Sequence, residues 1–322
     1  MGDEAGAQAE LNKLITQYET SLYTAKAIDN VADEYRKSGQ YSKARQWHQY
    51  VVDHWPRAEH AMEAQKGVVI SSIELGDDAG AQIAVNRLVA DYADHKNLSK
   101  ALYEIARRYE KLKKSDRANS TYQQIIQKCP GTSEASDAPV DIRKVDIQSL
   151  IESGDGGVSA AVENLIADFS GHPHLSFAVY KVGVHYHLKA YWLGNKGNDV
   201  NAGICFQKGA RIFDRVVEEF PGADILPRAL RSAGDCYRKL GDYEKSIARY
   251  QKLVDDYPQF ETAWNALFLV GQNYEALKES GALEDSQADA KIKAAYEQLI
   301  EQYPACSRVD YAREWLSHHN SQ

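Results

Sequence analysis

The chain has 322 residues, yet none of its apolar runs approaches the ~18 residues that a membrane-spanning helix needs. Cysteine is scarce. Cys129, Cys205, Cys236 and Cys306 are scattered without C-x-x-C or other metal-type spacing, and they define no disulfide framework. Positive charge is short as well: 38 Lys and Arg against 46 Asp and Glu give a net charge of −8. Phosphate binding wants a basic face, so this balance argues against nucleic acid as a partner. No Gly-rich phosphate loop, G-x-S-x-G or H-E-x-x-H occurs, which leaves catalysis without a motif and no cofactor implied. Met1 to Gly6 carry neither the basic segment nor the apolar stretch of a signal peptide. Gly6 stands where a myristoylation signal needs Ser or Thr. What is plentiful is tyrosine, 20 residues against 7 phenylalanines, and tyrosine suits half-buried positions where the ring packs and the hydroxyl reaches water.

Self-similarity organises the rest. A pair of aliphatic residues, an aromatic three residues on and often proline recur as Val51-Val52…Trp55-Pro56, Leu88-Val89…Tyr92, Ile125-Ile126…Cys129-Pro130 and Leu165-Ile166…Phe169. They continue as Val216-Val217…Phe220-Pro221, Leu253-Val254…Tyr257-Pro258 and Leu299-Ile300…Tyr303-Pro304. Spacings of three and four place these residues on one helix face, and proline ends the helix. Upstream of each closing signature sits a second marker: Tyr35, Ser72, Tyr109, Ser149, Tyr186, Tyr237 and Tyr274. Gly39, Gly76 and Gly241 separate marker from signature as helix breakers, so each unit reads as a helix hairpin.

Units close near 19, 56, 93, 130, 170, 221, 258 and 304, a base period of 37 with additions of 3, 14 and 9. The 3 falls between units, in 130–137; the 14 and the 9 fall inside hairpins. The first residues repeat Leu75-Gly76-Asp77-Asp78-Ala79-Gly80 two periods earlier, so the chain opens at a hairpin turn. Ala312…Trp315-Leu316 reads as a capping helix over about 308–318. The expectation is one array over 1–322: about seven hairpins with an unpaired helix at each end.

The copy Leu230…Ala233-Gly234…Tyr237…Ser246…Tyr250…Pro258 resembles the tetratricopeptide repeat (TPR), with small residues where paired helices touch: Ala32 and Ala44, Ala106 and Ala118, Gly183 and Gly209, Gly234 and Ser246. Asp146, Val158 and Ile292 depart from that pattern, and the period exceeds the family's. The resemblance covers essentially the whole chain and implies an all-α, right-handed superhelical solenoid. Closing signatures such as Tyr257-Pro258 and Tyr303-Pro304 are similar to those of bacterial cell-envelope members, the barrel-assembly lipoprotein and the Tol–Pal coordinator. That similarity implies an adaptor in the periplasm or cell envelope, with the cytoplasm as the alternative compartment, and a segment of a longer bacterial protein.

Histidine is where a metal site is sought: His172, His174, His185 and His187, with His318 and His319 near the end. His185 and His187, two apart on a helix, point to different sides, and His172 has a counterpart in His95 at the matching loop of another unit. Structural or solvated histidines are expected. Cys129 fills the aromatic slot of its unit and reads as a packed thiol.

In the family the first helix of each hairpin lines a concave groove that takes peptides or partner helices. Carried over unit by unit, the resemblance places Tyr103, Arg107, Phe177, Tyr180, His187, Arg228, Arg231, Arg238, Phe268 and Gln272 toward such a groove. Aromatic and guanidinium groups anchor interfaces, and the arginines suit an acidic segment. The competing reading is a solvated face whose charges pair within the molecule. The fourteen added residues around Lys189–Gly203 lengthen one hairpin by about two turns per helix, and Trp192 there is a possible second docking point. The expected function is a non-catalytic scaffold binding a protein or peptide, with no nucleic acid and no direct membrane insertion; the alternative is an accessory or carrier module of a larger enzyme.

Overall fold

A computed structural model describes residues 4–18, 21–154 and 156–319. The first closing position, near 19, lies outside them, as do Met1, Gly2 and Asp3 of the opening repeat. Every regular element among the described residues is a helix. α1 (Glu4–Tyr18) is followed by the pairs α2 (Leu22–Lys37) with α3 (Tyr41–His54), α4 (Ala61–Glu74) with α5 (Asp78–Asp91), and α6 (Leu98–Lys111) with α7 (Ser115–Lys128). Then come α8 (Ser133–Ser153) with α9 (Val158–Asp168), α10 (Leu175–Gly194) with α11 (Asp199–Glu219), and α12 (Leu226–Lys239) with α13 (Tyr243–Asp256). α14 (Ala263–Glu279) with α15 (Asp285–Gln302) and the single α16 (Val309–His319) complete the chain. Among the described residues these elements make seven helix pairs, with α1 before them and α16 after them. The chain divides into two compact units, 1–146 and 147–322, with the boundary inside α8.

Additions to the period go mostly into helix. α10 and α11 run 20 and 21 residues where α12 and α13 have 14 each, so nearly all fourteen added residues extend that hairpin. The segment 130–137 differs from a connecting loop. Helix begins at Ser133 because the Thr132 hydroxyl accepts the Ala135 N–H at 3.2 Å, an N-cap that turns the addition into the first turn of α8.

In the first unit α4 is apolar on almost every side, from Ala61 to Ile73, and it is buried on almost every side. Elsewhere helices bury one stripe, and close pairing depends on small residues. Gly234 of α12 lies under the Tyr250 ring of α13, and a Cβ there would sit 2.5 Å from the ring. Gly183 lies likewise under Phe213, and Gly271 under Tyr296, in their own hairpins. The tyrosine hydroxyls finish on first-helix carboxylates: Tyr122 donates to Glu110 at 2.5 Å, Tyr250 to Asp235 at 2.5 Å and Tyr296 to Glu275 at 2.8 Å. Each ring is fully buried, so an unpaired hydroxyl would be costly.

The hairpin turns reuse one backbone shape. Gly39, Gly76 and Gly241 take left-handed φ of 77°, 74° and 74°, and Lys113 takes 58° at the equivalent turn of α6–α7. A side chain there costs energy that glycine avoids. Lys113→Gly should therefore raise the unfolding free energy by up to about 1 kcal/mol in urea titration. Gly234→Ala should lower it by about 1–3 kcal/mol, because the Tyr250 ring is held by Asp235 and has nowhere to go.

Candidate first-helix interface

In the first unit, α6 carries two of the sequence-predicted residues. Arg107 is exposed. Tyr103 is half-buried, edge-on to Tyr122 with centroids 5.5 Å apart, and its hydroxyl donates to Asp141 at 2.5 Å. Asp141 also takes the Lys144 ammonium at 2.6 Å, and Lys144 reaches Glu110 at 2.9 Å. Lys144 and Asp141 are buried, so Tyr103 belongs to a closed polar network that fixes α6 against α8.

In the second unit, α10 presents Phe177 and Tyr180, both half-buried, with centroids 6.5 Å apart; Tyr180 rests on Phe213 at 5.5 Å. His187 stacks on Tyr191 at 5.0 Å and meets Phe206 at 5.7 Å. Burial holds its imidazole below the usual histidine range; Asp235 opposes that shift and Lys239 adds to it. On α12, Arg228 is exposed, but Arg231 and Arg238 are engaged by the next hairpin. Arg231 Nη2 donates to Asn265 Oδ1 at 3.0 Å and its Nε lies 3.7 Å from Asp235. Arg238 donates to Asn273 Oδ1 at 3.1 Å and to Gln272 Oε1 at 3.2 Å.

From Asn273, which is fully buried, the relay continues: its Nδ2 donates to Ser246 Oγ at 2.8 Å, and that hydroxyl donates to the Gly234 carbonyl at 2.9 Å. Three helices are tied by one chain of hydrogen bonds. Phe268 is buried between Tyr296 at 6.0 Å and Tyr311 at 5.3 Å, with the Arg308 guanidinium 5.2 Å over its ring. It packs the core beside α16 rather than offering an exposed ring. Trp192 stands exposed near the end of α10, with Lys196 Nζ 4.2 Å from its ring centre.

The structure thus brings Phe177 and Tyr180 together on α10, and Arg231, Arg238 and Gln272 together across α12 and α14. Sequence reading missed Asn265 and Asn273. They lie 34 and 35 residues after Arg231 and Arg238, close to one period, and comparing positions a unit apart exposes them. The histidines do not converge: His185 pairs with Glu152 at 2.8 Å, and His172 lies beside Phe169 at 6.4 Å. Among the described residues no group of three or more His, Cys, Asp or Glu is placed to hold a metal. Burial raises the thiols of Cys129, Cys205 and Cys236, which disfavours the reactive thiolate.

A stability contrast separates structural from available arginines. Arg238→Ala should cost about 1–3 kcal/mol in urea titration, since it strips a charged donor from the buried Asn273. Arg228→Ala should stay within about 0.5 kcal/mol of the parent. Equal effects would mean that the relay carries no weight.

The family model of the tetratricopeptide repeat matches residues 100–132 and 228–259, which lie within the α6–α7 and α12–α13 hairpins and the residues that follow them. No curated protein sequence matches the chain. Among solved structures, a TPR-containing protein from Cytophaga hutchinsonii is 14% identical over 88% of this chain and 98% of its own, with a TM-score of 0.42. A tetratricopeptide repeat protein from Parabacteroides merdae is 12% identical over 91% and 97%, TM-score 0.38. The Pseudomonas aeruginosa protein pilF is 12% identical over 90% and 96%, TM-score 0.33. The matched repeats do not single out the barrel-assembly or Tol–Pal type. With helix pairs closed over small residues and the family model matching two of them, this chain contains tetratricopeptide repeats.

Proposed function

We propose that the protein is a non-catalytic scaffold that holds a protein or peptide segment against the first helices of its hairpins. The observation that carries this reading is the α10–α12 surface. Phe177 and Tyr180 present aromatic area there, Arg228 is exposed, and no Asp or Glu occurs between Asp168 and Asp199. An acidic segment with apolar side chains suits such a surface, because rings bury large area and guanidinium groups grip carboxylates. Arg231, Arg238 and Gln272 support the surface from behind through their bonds to one another's hairpins, and His187 stiffens it as a neutral ring. The closing signatures ending in Tyr-Pro support a place in the bacterial cell envelope.

A displayed random-peptide library panned on the immobilised protein tests this. Enriched peptides should be acidic and apolar, and their affinity should fall as salt rises. Tyr180→Ala combined with Arg228→Ala should weaken them by about 1–4 kcal/mol in sum while leaving the fold intact. A library that yields no binders, or binders indifferent to the double variant, contradicts the assignment.

A further inference from the structure

The elongated α10–α11 hairpin has a distal end unlike the rest of the molecule. Lys189 marks where it leaves its neighbour: its ammonium donates to the Ile151 and Glu152 carbonyls at the end of α8. Beyond that level a notch of about 280 Å³ opens between Gly154 and the flank formed by Leu193, Ile204 and Lys208. Six residues from Lys189 to the turn at Asn195 amount to roughly 9 Å of projection at 1.5 Å each. On the other flank Lys239, the last residue of α12, already reaches the Tyr191 ring at 5.4 Å.

This projecting end is apolar where it should be polar. Trp192 is 55% exposed, Val200 77% and Ile204 45%, and Leu188, at the base of this end beside Lys189, is 65% exposed. At about 100° per residue, Leu188 and Trp192 fall opposite the buried seam of α10 formed by Val182, Tyr186 and Ala190. Val200 and Ile204 fall opposite the seam of α11 formed by Ala202, Cys205 and Gly209. The apolar groups therefore occupy both outer faces of the hairpin at matching heights. A protein docked flat on one face would leave the other in water. A fluid layer around the tip covers both.

The charges point the same way. From Phe169 to Phe213 the only acid is Asp199, against Lys181, Lys189, Lys196, Lys208 and Arg211, in a chain whose net charge is −8. Lys196 and Lys208 are exposed and lie over the rings of Trp192 and Tyr186, at 4.2 and 5.8 Å, the snorkelling arrangement of an apolar stem with a cationic head. Tryptophan and tyrosine favour the headgroup level of a bilayer, and interfacial helices bury about 5–10 Å. The projection matches that depth.

We propose that the tip of the α10–α11 hairpin is a membrane-contact site that dips into the headgroup layer of a bilayer rich in anionic lipid. No helix among the described residues is long and apolar enough to cross a membrane, and interfacial contact through a hairpin tip needs none. The expectation of no direct membrane insertion rests on spanning length alone, so the tip refines it. Asp199 sits at the start of α11, where the helix dipole favours it.

Flotation with vesicles of phosphatidylcholine containing about one third phosphatidylserine tests the proposal on the full chain. Wild type should float with these vesicles, much less with pure phosphatidylcholine, and less as salt rises. Leu188→Ser with Trp192→Ser should cut binding at least about tenfold, and Lys196→Glu with Lys208→Glu should also weaken it, all with unchanged circular dichroism and melting. The vesicle-induced blue shift of tryptophan emission should vanish in Trp192→Phe. The proposal fails if the folded wild type ignores anionic vesicles, or if the Leu188/Trp192 variant floats as well as wild type. It fails equally if library peptides bind through the tip while no vesicle does.

Discussion

Close approach of two helices at a residue with little or no side chain is the constraint on which the rest depends. Where Gly234 or Gly271 leaves a gap, a tyrosine ring from the second helix fills it. Once the ring is inside, its hydroxyl must find a partner in a dry seam, and Asp235 and Glu275 on the first helix supply one. Ring, gap and carboxylate specify one another at these positions. Phe213 over Gly183 shows the version without a hydroxyl.

A second layer of interactions runs between hairpins, at sequence separations near one period. Arg108 pairs with Glu74, Lys144 with Glu110 at 2.9 Å, and Arg249 with Asp214 at 2.7 Å. Arg231 and Arg238 belong to this layer. The same guanidinium groups that read as partner anchors in the sequence hold neighbouring hairpins in register. Arg107 and Arg228, by contrast, stand exposed on the first helices α6 and α12. Elongation of α10–α11 adds a third kind of surface, which the lengths of the flanking hairpins leave uncovered.

Hairpins, turns and caps were legible because they depend on local signals: aliphatic pairs at helical spacing, proline after them, glycine at the left-handed turn. Val216-Val217…Phe220-Pro221 closes α11 as its residues predict. Segment 130–137 was harder, since its loop-like composition hides Thr132 as an N-cap. Lys113 in a left-handed turn shows the repeat overriding a residue's own preference. The candidate site was less legible. Facing a groove and being available to a partner differ by what the next hairpin contributes, and a residue such as Phe268 is claimed by Tyr311 and Arg308 from the far side of a unit. Periodicity gives the face. It does not give the occupant of that face.

The claim that the α6–α7, α12–α13 and α14–α15 hairpins are locked by a buried ring whose hydroxyl is held by a first-helix carboxylate is tested most directly by a double-mutant cycle. Tyr250→Phe, Asp235→Asn and the double variant, compared by urea titration, isolate the coupling between the two groups. A coupling of about 1 kcal/mol or more is predicted, because each partner alone leaves the other buried and poorly satisfied. Additive single effects, with no coupling, would contradict the account.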